Sequence, residues 1–179
     1  FRSLADLRHE NLVTLYELFS EGDLWFITME YVPGVPFDRH LRATAGTAPD
    51  REQLRATLRQ LCTGVCAMHE AGSVHRDLKP SNVLVTETGR VVILDFGLAK
   101  QTSSNSLSGD GITGTPAYMA PEQALEQACH PAVDWYAVGS MIYEVLTGQP
   151  PFPGTMFEML LKKQYEDPPD PLGLCPAAD

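Results

Sequence analysis

The run Asp134 to Gly148, DWYAVGSMIYEVLTG, is apolar almost all round. A helix with that pattern in a water-soluble chain has to be buried, so the rest of the chain must pack around it. Gly148 and Pro150-Pro151 stop it, and Asp134 at its head fits an N-cap. A second helix is predicted over Asp50 to Ala71. There Leu54, Leu58, Leu61, Val65 and Met68 recur at spacings that alternate between four and three, one apolar stripe. Pro49 precedes it, Asp50 with Gln53 matches a capping box, and Gly72 supplies a C-terminal stop.

Around these helices the sequence alternates between strand and turn signals. Val13 to Phe19 and Leu24 to Tyr31 are aromatic-rich and β-prone, and SEGD between them predicts a hairpin. Pro33, Gly34 and Pro36 mark an irregular linker, with a short helix expected around Phe37 to Ala43. VLV and VVILDFG, joined by TETGR, predict another hairpin. Phe1 to Arg8 reads as the last turns of a helix with no N-cap in front of it. Thr155 with Glu158 forms a capping box for a helix to about Gln164, and the proline-rich tail DPPDPLGLCPAAD is expected to be poorly ordered.

A chain of 179 residues is long enough for one domain with a real core. Its net charge of −10 weighs against a nucleic-acid partner, which favours a basic face. Cys62, Cys66, Cys129 and Cys175 show no zinc-like pairing. Cys62 and Cys66 stand four apart on a predicted helix and read as packing residues, reduced in a cytosolic compartment. No apolar run reaches transmembrane length and no signal peptide opens the chain. The expected location is therefore cytoplasmic, with a membrane anchor elsewhere in a longer protein left open.

The chemistry concentrates in Val74 to Asn82, VHRDLKPSN, flanked by the apolar runs LCTGVCAMH and VLV. Buried elements at both ends let such a loop aim Asp77, Lys79 and Asn82 into one small volume. A carboxylate can accept a hydroxyl proton, an ammonium can neutralise a phosphoryl oxygen, and an amide oxygen can ligate a hard cation. That set suits phosphoryl transfer, in which catalysis is mostly positioning and charge neutralisation.

HRDLKPSN resembles the catalytic loop of the eukaryotic-type serine/threonine protein kinases. Asp95-Phe96-Gly97 and GTPAYMAPE, Gly114 to Glu122, resemble two further anchors of that family and follow in its order. The resemblance runs over essentially the whole chain. MEYVPG, GTPAYMAPEQA and FRSLADLRHENLV are similar to bacterial members. It implies an α+β, two-lobed fold, here the C-terminal part of a small lobe over 1–31, a hinge over 32–36, and over 37–179 a mainly helical large lobe incomplete at its C-terminus. HENLV resembles the turn that ends the small lobe's regulatory helix. The family's helix glutamate, ATP-anchoring lysine and glycine-rich loop would then precede Phe1. Residues 1–179 are therefore expected to be truncated at both ends, weakly active or inactive alone, and poorly soluble, with a strand edge and apolar surface exposed.

The resemblance also assigns roles. It makes Asp77 the residue that orients and deprotonates the acceptor hydroxyl, and Lys79 the one that neutralises the phosphoryl group of ATP. Asn82 and Asp95 would hold Mg²⁺. Met29 would be the gatekeeper, a role hard to tell from core filling. The backbones of Glu30 and Val32 would meet adenine, above a floor formed by Leu84. Thr115 would bond Asp77 and Lys79 and shape the site for a protein serine or threonine. Arg76 would bind a phosphate on the segment QTSSNSLSGDGIT, which otherwise reads as a flexible surface loop. Thr113 and Ser108 are the first candidates for that phosphate, ahead of Ser103, Ser104 and Ser106, and a contact between two kinases could deliver it. Leu4, Leu15, His75 and Phe96 match the regulatory spine, with Asp134 below them, which makes His75 a packing residue rather than a base. Asp134 is either the N-cap or, as in the family, an anchor for the backbone of the catalytic loop. Glu122 would pair with an arginine later than this sequence extends. A scaffold without catalysis competes with this reading, and the presence of Asp77, Asn82 and Asp95 speaks against it. A small-molecule phosphotransferase would not be expected to carry GTPAYMAPE.

Overall fold

The structure, a computed structural model, describes residues 7–22, 24–42, 49–95, 116–125 and 130–174. Strands β1 (Leu15–Glu21) and β2 (Leu24–Met29) form the first hairpin, antiparallel, with Gly22 at φ +61° in its turn. A bulge between Leu15 and Glu17 re-aims the start of β1. Only Leu15 of that strand is buried. Tyr16, Leu24 and Trp25 are exposed, and Phe19 stacks on Phe26 at 5.3 Å between ring centres.

Strands β3 (Gly34–Pro36), β4 (Val83–Thr86) and β5 (Val91–Ile93) make a three-stranded antiparallel sheet in that order. The TETGR turn works as predicted, with Gly89 at φ +80° and its N–H bonded to the Thr86 carbonyl. Period-two alternation sends Val83 and Val85 into the core and leaves Leu84 half-buried on the opposite face. β5 also meets the HENLV turn. Val13 N–H bonds the Ile93 carbonyl at 2.9 Å, and Ile93 N–H bonds the Asn11 carbonyl at 2.9 Å.

Helix α1 (Phe37–Leu41) is one short turn that buries Phe37 and Leu41. Helix α2 (Arg51–Glu70) carries the predicted stripe: Leu61, Val65 and Met68 are buried, and Leu54 and Leu58 pack against the same core. Asp50 caps it by accepting from Gln53 N–H at 2.7 Å. The expected capping box is only half made, because the Gln53 amide turns instead to His40 Nε2 at 3.0 Å. At the other end Ser73 N–H bonds the Met68 carbonyl and Gly72 N–H bonds the His69 carbonyl. With Gly72 at φ +75°, that pair is a Schellman stop. Gly64 lets α2 close on β5: a Cβ there would stand 3.0 Å from the Ile93 side chain and 3.1 Å from Asn11.

Helix α3 (Pro121–Ala124) is a single turn, and α4 (Ala132–Thr147) is the central helix. α4 begins earlier than predicted, at Ala132 with Pro131 as its N-cap, so Asp134 lies inside its first turn and is not the N-cap. It is buried on one broad side rather than all round, since Trp135 and Gly139 reach the surface. Its C-terminal carbonyls are met by Arg42, whose Nη1 donates to Glu144 O at 3.1 Å and Val145 O at 3.2 Å. Helix α5 (Met156–Tyr165) has the Thr155–Glu158 capping box. Within the tail Pro171–Leu174 forms a helical turn, α6, where poor order is expected, entered through an Asp170 carboxylate bonded to Leu172 N–H at 2.9 Å; residues 175–179 lie outside the described residues. Among the described residues no helix is long and apolar enough to cross a membrane.

Candidate active site

Residues 73–79 belong to no helix or strand, so their backbone groups need other partners. Asp134 supplies them. Its buried carboxylate accepts from His75 N–H and from Arg76 N–H, both at 2.8 Å, and from His69 Nε2 at 2.8 Å. Of the two roles weighed for Asp134, this contact is the backbone anchor. His75, also buried, donates from Nε2 to the Leu94 carbonyl at 2.8 Å. Its Nδ1 then accepts from Asp77 N–H at 3.3 Å. Both ring nitrogens are committed to backbone, which leaves no base at His75 for a substrate.

Arg76, at φ +68°, is held in a left-handed conformation that non-glycine residues rarely adopt, and Asp77 follows directly. Lys79 Nζ lies 2.9 Å from Asp77 Oδ2. Both side chains keep partial access to solvent, as a site that must meet a substrate requires. Asn82 sits at the end of a 3₁₀ turn, Pro80–Asn82, and its Nδ2 donates to the Asp77 carbonyl at 3.0 Å. That bond fixes which end of the amide is the nitrogen, so its oxygen is the end that could ligate a cation. Leu94 N–H bonds the Asn82 carbonyl at 2.8 Å, which draws Asp95, the next residue, to the same place. Asp95 is itself at φ +53°. One amide oxygen and one carboxylate are the kind of sparse, hard oxygen set that Mg²⁺ accepts when phosphates and water complete its shell. Among the described residues no cluster of three or more His, Cys, Asp or Glu could hold an ion alone.

On the hinge side, Met29 is half-buried against the core and Val32 is buried. Glu30 N–H bonds the Thr14 carbonyl at 2.8 Å. The Glu30 side chain, which sequence reasoning had left without a role, takes Arg90 through Nη1 at 2.6 Å and Nη2 at 3.3 Å. That hydrogen bond from Arg90 holds the Glu30 carboxyl below the usual carboxylate range, against the opposing effect of burial. Arg90 also donates to the Glu10 carbonyl at 2.8 Å, so one guanidinium at the head of β5 ties Glu30, just after β2, to the HENLV turn.

The segment after Thr115 closes the site from the other side. Tyr118 donates from its hydroxyl to Glu144 at 2.5 Å, and burial together with that bond pushes its ionisation far up. Gln123 Nε2 donates to the Arg76 carbonyl at 2.9 Å while its oxygen accepts from Ala120 N–H at 2.9 Å. Tyr118 and Met119 line one small cavity with Arg76, Asp77 and Leu78. Glu122 is half-buried and makes no ion pair among the described residues. Thr115, Thr113, Ser108, Leu4 and Phe96 lie outside the described residues.

The sequence pattern of the protein kinase domain family matches residues 1–168. The chain belongs to the protein kinase family. The kinase domain is 39% identical, over 99% of its length, to the probable serine/threonine-protein kinase pknA2 of Bifidobacterium longum. It is 39% identical, over 86% of its length, to the serine/threonine-protein kinase PknL of Mycobacterium tuberculosis. It is also 34% identical, over 86% of its length, to PrkC of Bacillus subtilis. It spans 23%, 38% and 24% of those curated relatives respectively.

Several residues that shape the kinase site were not singled out from sequence. His69 had a signal: a polar residue directly after Met68, where the apolar stripe meets the loop. Gln123 and Lys163 had none, because their partners are carbonyl groups some fifty residues away in sequence, and backbone carries no side-chain signature.

Proposed function

We propose that this domain transfers the γ-phosphoryl group of ATP to serine and threonine hydroxyls of proteins, as part of a longer chain working on the cytoplasmic side. The observation that carries the reading is the Asp77–Lys79 pair at 2.9 Å, on a loop whose backbone is fixed by Asp134 and which brings Asn82 beside Asp95. In the reaction an acceptor oxygen attacks the γ-phosphorus as the bond to the bridging oxygen of ADP breaks. Asp77 orients the hydroxyl and takes its proton, and Lys79 offsets negative charge on the group in flight. Asn82 and Asp95 are the residues that would hold Mg²⁺. Bound there, the ion would neutralise phosphate charge. Half-buried Leu84, with the backbones of Glu30 and Val32, would supply the adenine side. Arg76 would receive a phosphate from the 98–113 segment, with Thr113 and Ser108 as candidate carriers and a second kinase molecule as the source.

The test is phosphoryl incorporation from labelled ATP with Mg²⁺ into protein, using the full-length protein and its Asp77→Asn variant. Losing one preorganised charged group from such a site costs on the order of 3–4 kcal/mol of barrier, so turnover should fall by about 10²- to 10³-fold. The melting temperature should stay within a few degrees. Undiminished turnover in the variant would rule this assignment out.

A further inference from the structure

Lys163, in the middle of α5, has a surrounding the reaction has not used. Its side chain is buried, with the residue 6% exposed. Its ammonium donates to three backbone carbonyls: Pro116 at 2.5 Å, Ala117 at 2.9 Å and Met119 at 2.7 Å. The Tyr136 ring lies beneath it at 5.2 Å, and among the described residues no carboxylate pairs with it. The next residue, Gln164, donates to the Pro121 carbonyl at 2.8 Å. Burial lowers the Lys163 ammonium to about 8. A buried charge is costly to hold where a methionine would pack at no such cost. What the ammonium does that an apolar side chain cannot is gather three carbonyls of one short segment onto one point.

That segment is the wall beside Asp77. Tyr118 and Met119 share a cavity with Arg76 and Asp77, and Gln123, one turn on, holds the Arg76 carbonyl. In a trans peptide the C=O and the following N–H point in opposite directions. Fixing three carbonyls therefore also fixes where the N–H groups of Ala117, Tyr118 and Ala120 point. Ala120 N–H is already taken by Gln123, while Tyr118 lines the cavity it shares with Asp77.

We propose that Lys163 is a positioning residue for the acceptor: by holding the backbone of residues 116–119, it sets how an acceptor hydroxyl is presented to Asp77. The inference rests on the kinase reading above. It assigns to α5, a helix that touches neither the nucleotide side nor the catalytic loop in any described hydrogen bond, control over one substrate and not the other.

The experiment compares the full-length protein with its K163M and K163R variants. The acceptor is one serine- or threonine-containing peptide chosen from a degenerate peptide library for its turnover by the unaltered protein. Three quantities are read: KM for that peptide, KM for ATP, and the rate of ATP hydrolysis without acceptor. K163M is expected to raise the peptide KM at least tenfold while the ATP KM and acceptor-free hydrolysis stay within twofold. K163R, which keeps a charged donor, should recover a substantial part of the peptide KM. A thermal melt shows whether each variant is folded. If K163M proves unfolded, the milder Q164A, which releases only the Pro121 carbonyl, must raise the peptide KM selectively, or the proposal fails. Equal losses in peptide transfer and ATP hydrolysis, or an unchanged peptide KM, would overturn the positioning role. A folded unaltered protein that binds ATP and transfers nothing would instead overturn the kinase reading, and this one with it.

Discussion

At the scale of single residues, the chain just after β2 depends on one carboxylate in a way that pH can expose. Glu30 is held by Arg90 through two hydrogen bonds, and its carboxyl is lowered from an ordinary value of 4.5. A carboxyl lowered on folding binds its proton less readily in the folded chain than in the unfolded one. Its contribution is therefore complete above the unfolded value and drains away as pH falls through the folded one. Glu30→Gln should be less stable than the unaltered protein at pH 7, and the two should converge as pH falls below about 4.5. Urea unfolding at several pH values checks this, and a gap that does not narrow at all as pH falls below about 4.5 would assign the effect to shape rather than charge. The pair was not legible in the sequence. Glu30 and Arg90 lie sixty residues apart, and either alone reads as an ordinary surface charge. Asp77, Lys79 and Asn82, by contrast, are close in sequence and bounded by apolar runs, so their convergence could be read directly, whereas Asp95 joined them only through the family resemblance.

At the scale of elements, α2 and α4 were legible as helices because apolar spacing and stop residues are local signals. Which parts of them face solvent was not, because that depends on what the rest of the chain lays against them: α4 shows Trp135 and Gly139 to the surface despite its apolar run. The start of α4 moved for a related reason. Asp134 has the chemistry of an N-cap, but backbone N–H groups from another loop compete for the same oxygens and take them. Tertiary packing also explains Gly64, an unfavourable residue in mid-helix by propensity alone. It stands where a Cβ would press on Ile93 and on Asn11, including the Asn11 carbonyl. Gly64→Val should therefore lower stability by about 2 kcal/mol through overpacking, seen as an earlier urea midpoint with an unchanged slope. A later midpoint would mean that helix propensity outweighs the contact.

At the scale of the molecule, the catalytic loop hangs from the central helix. The loop has no ladder of its own, and its two amides at His75 and Arg76 bond to a carboxylate that is 1% exposed on α4. Segments without secondary structure usually trade their amide protons with solvent quickly, through small local openings. Here no small opening suffices, because releasing either proton means freeing Asp134 from the interior. In deuterated water the amides of His75 and Arg76 should exchange as slowly as those in the middle of α4, with the same dependence on denaturant. Rapid exchange at those two positions would show that the loop opens without the helix. The slow outcome would mean that the clock governing the loss of the active site is the unfolding of the whole large lobe.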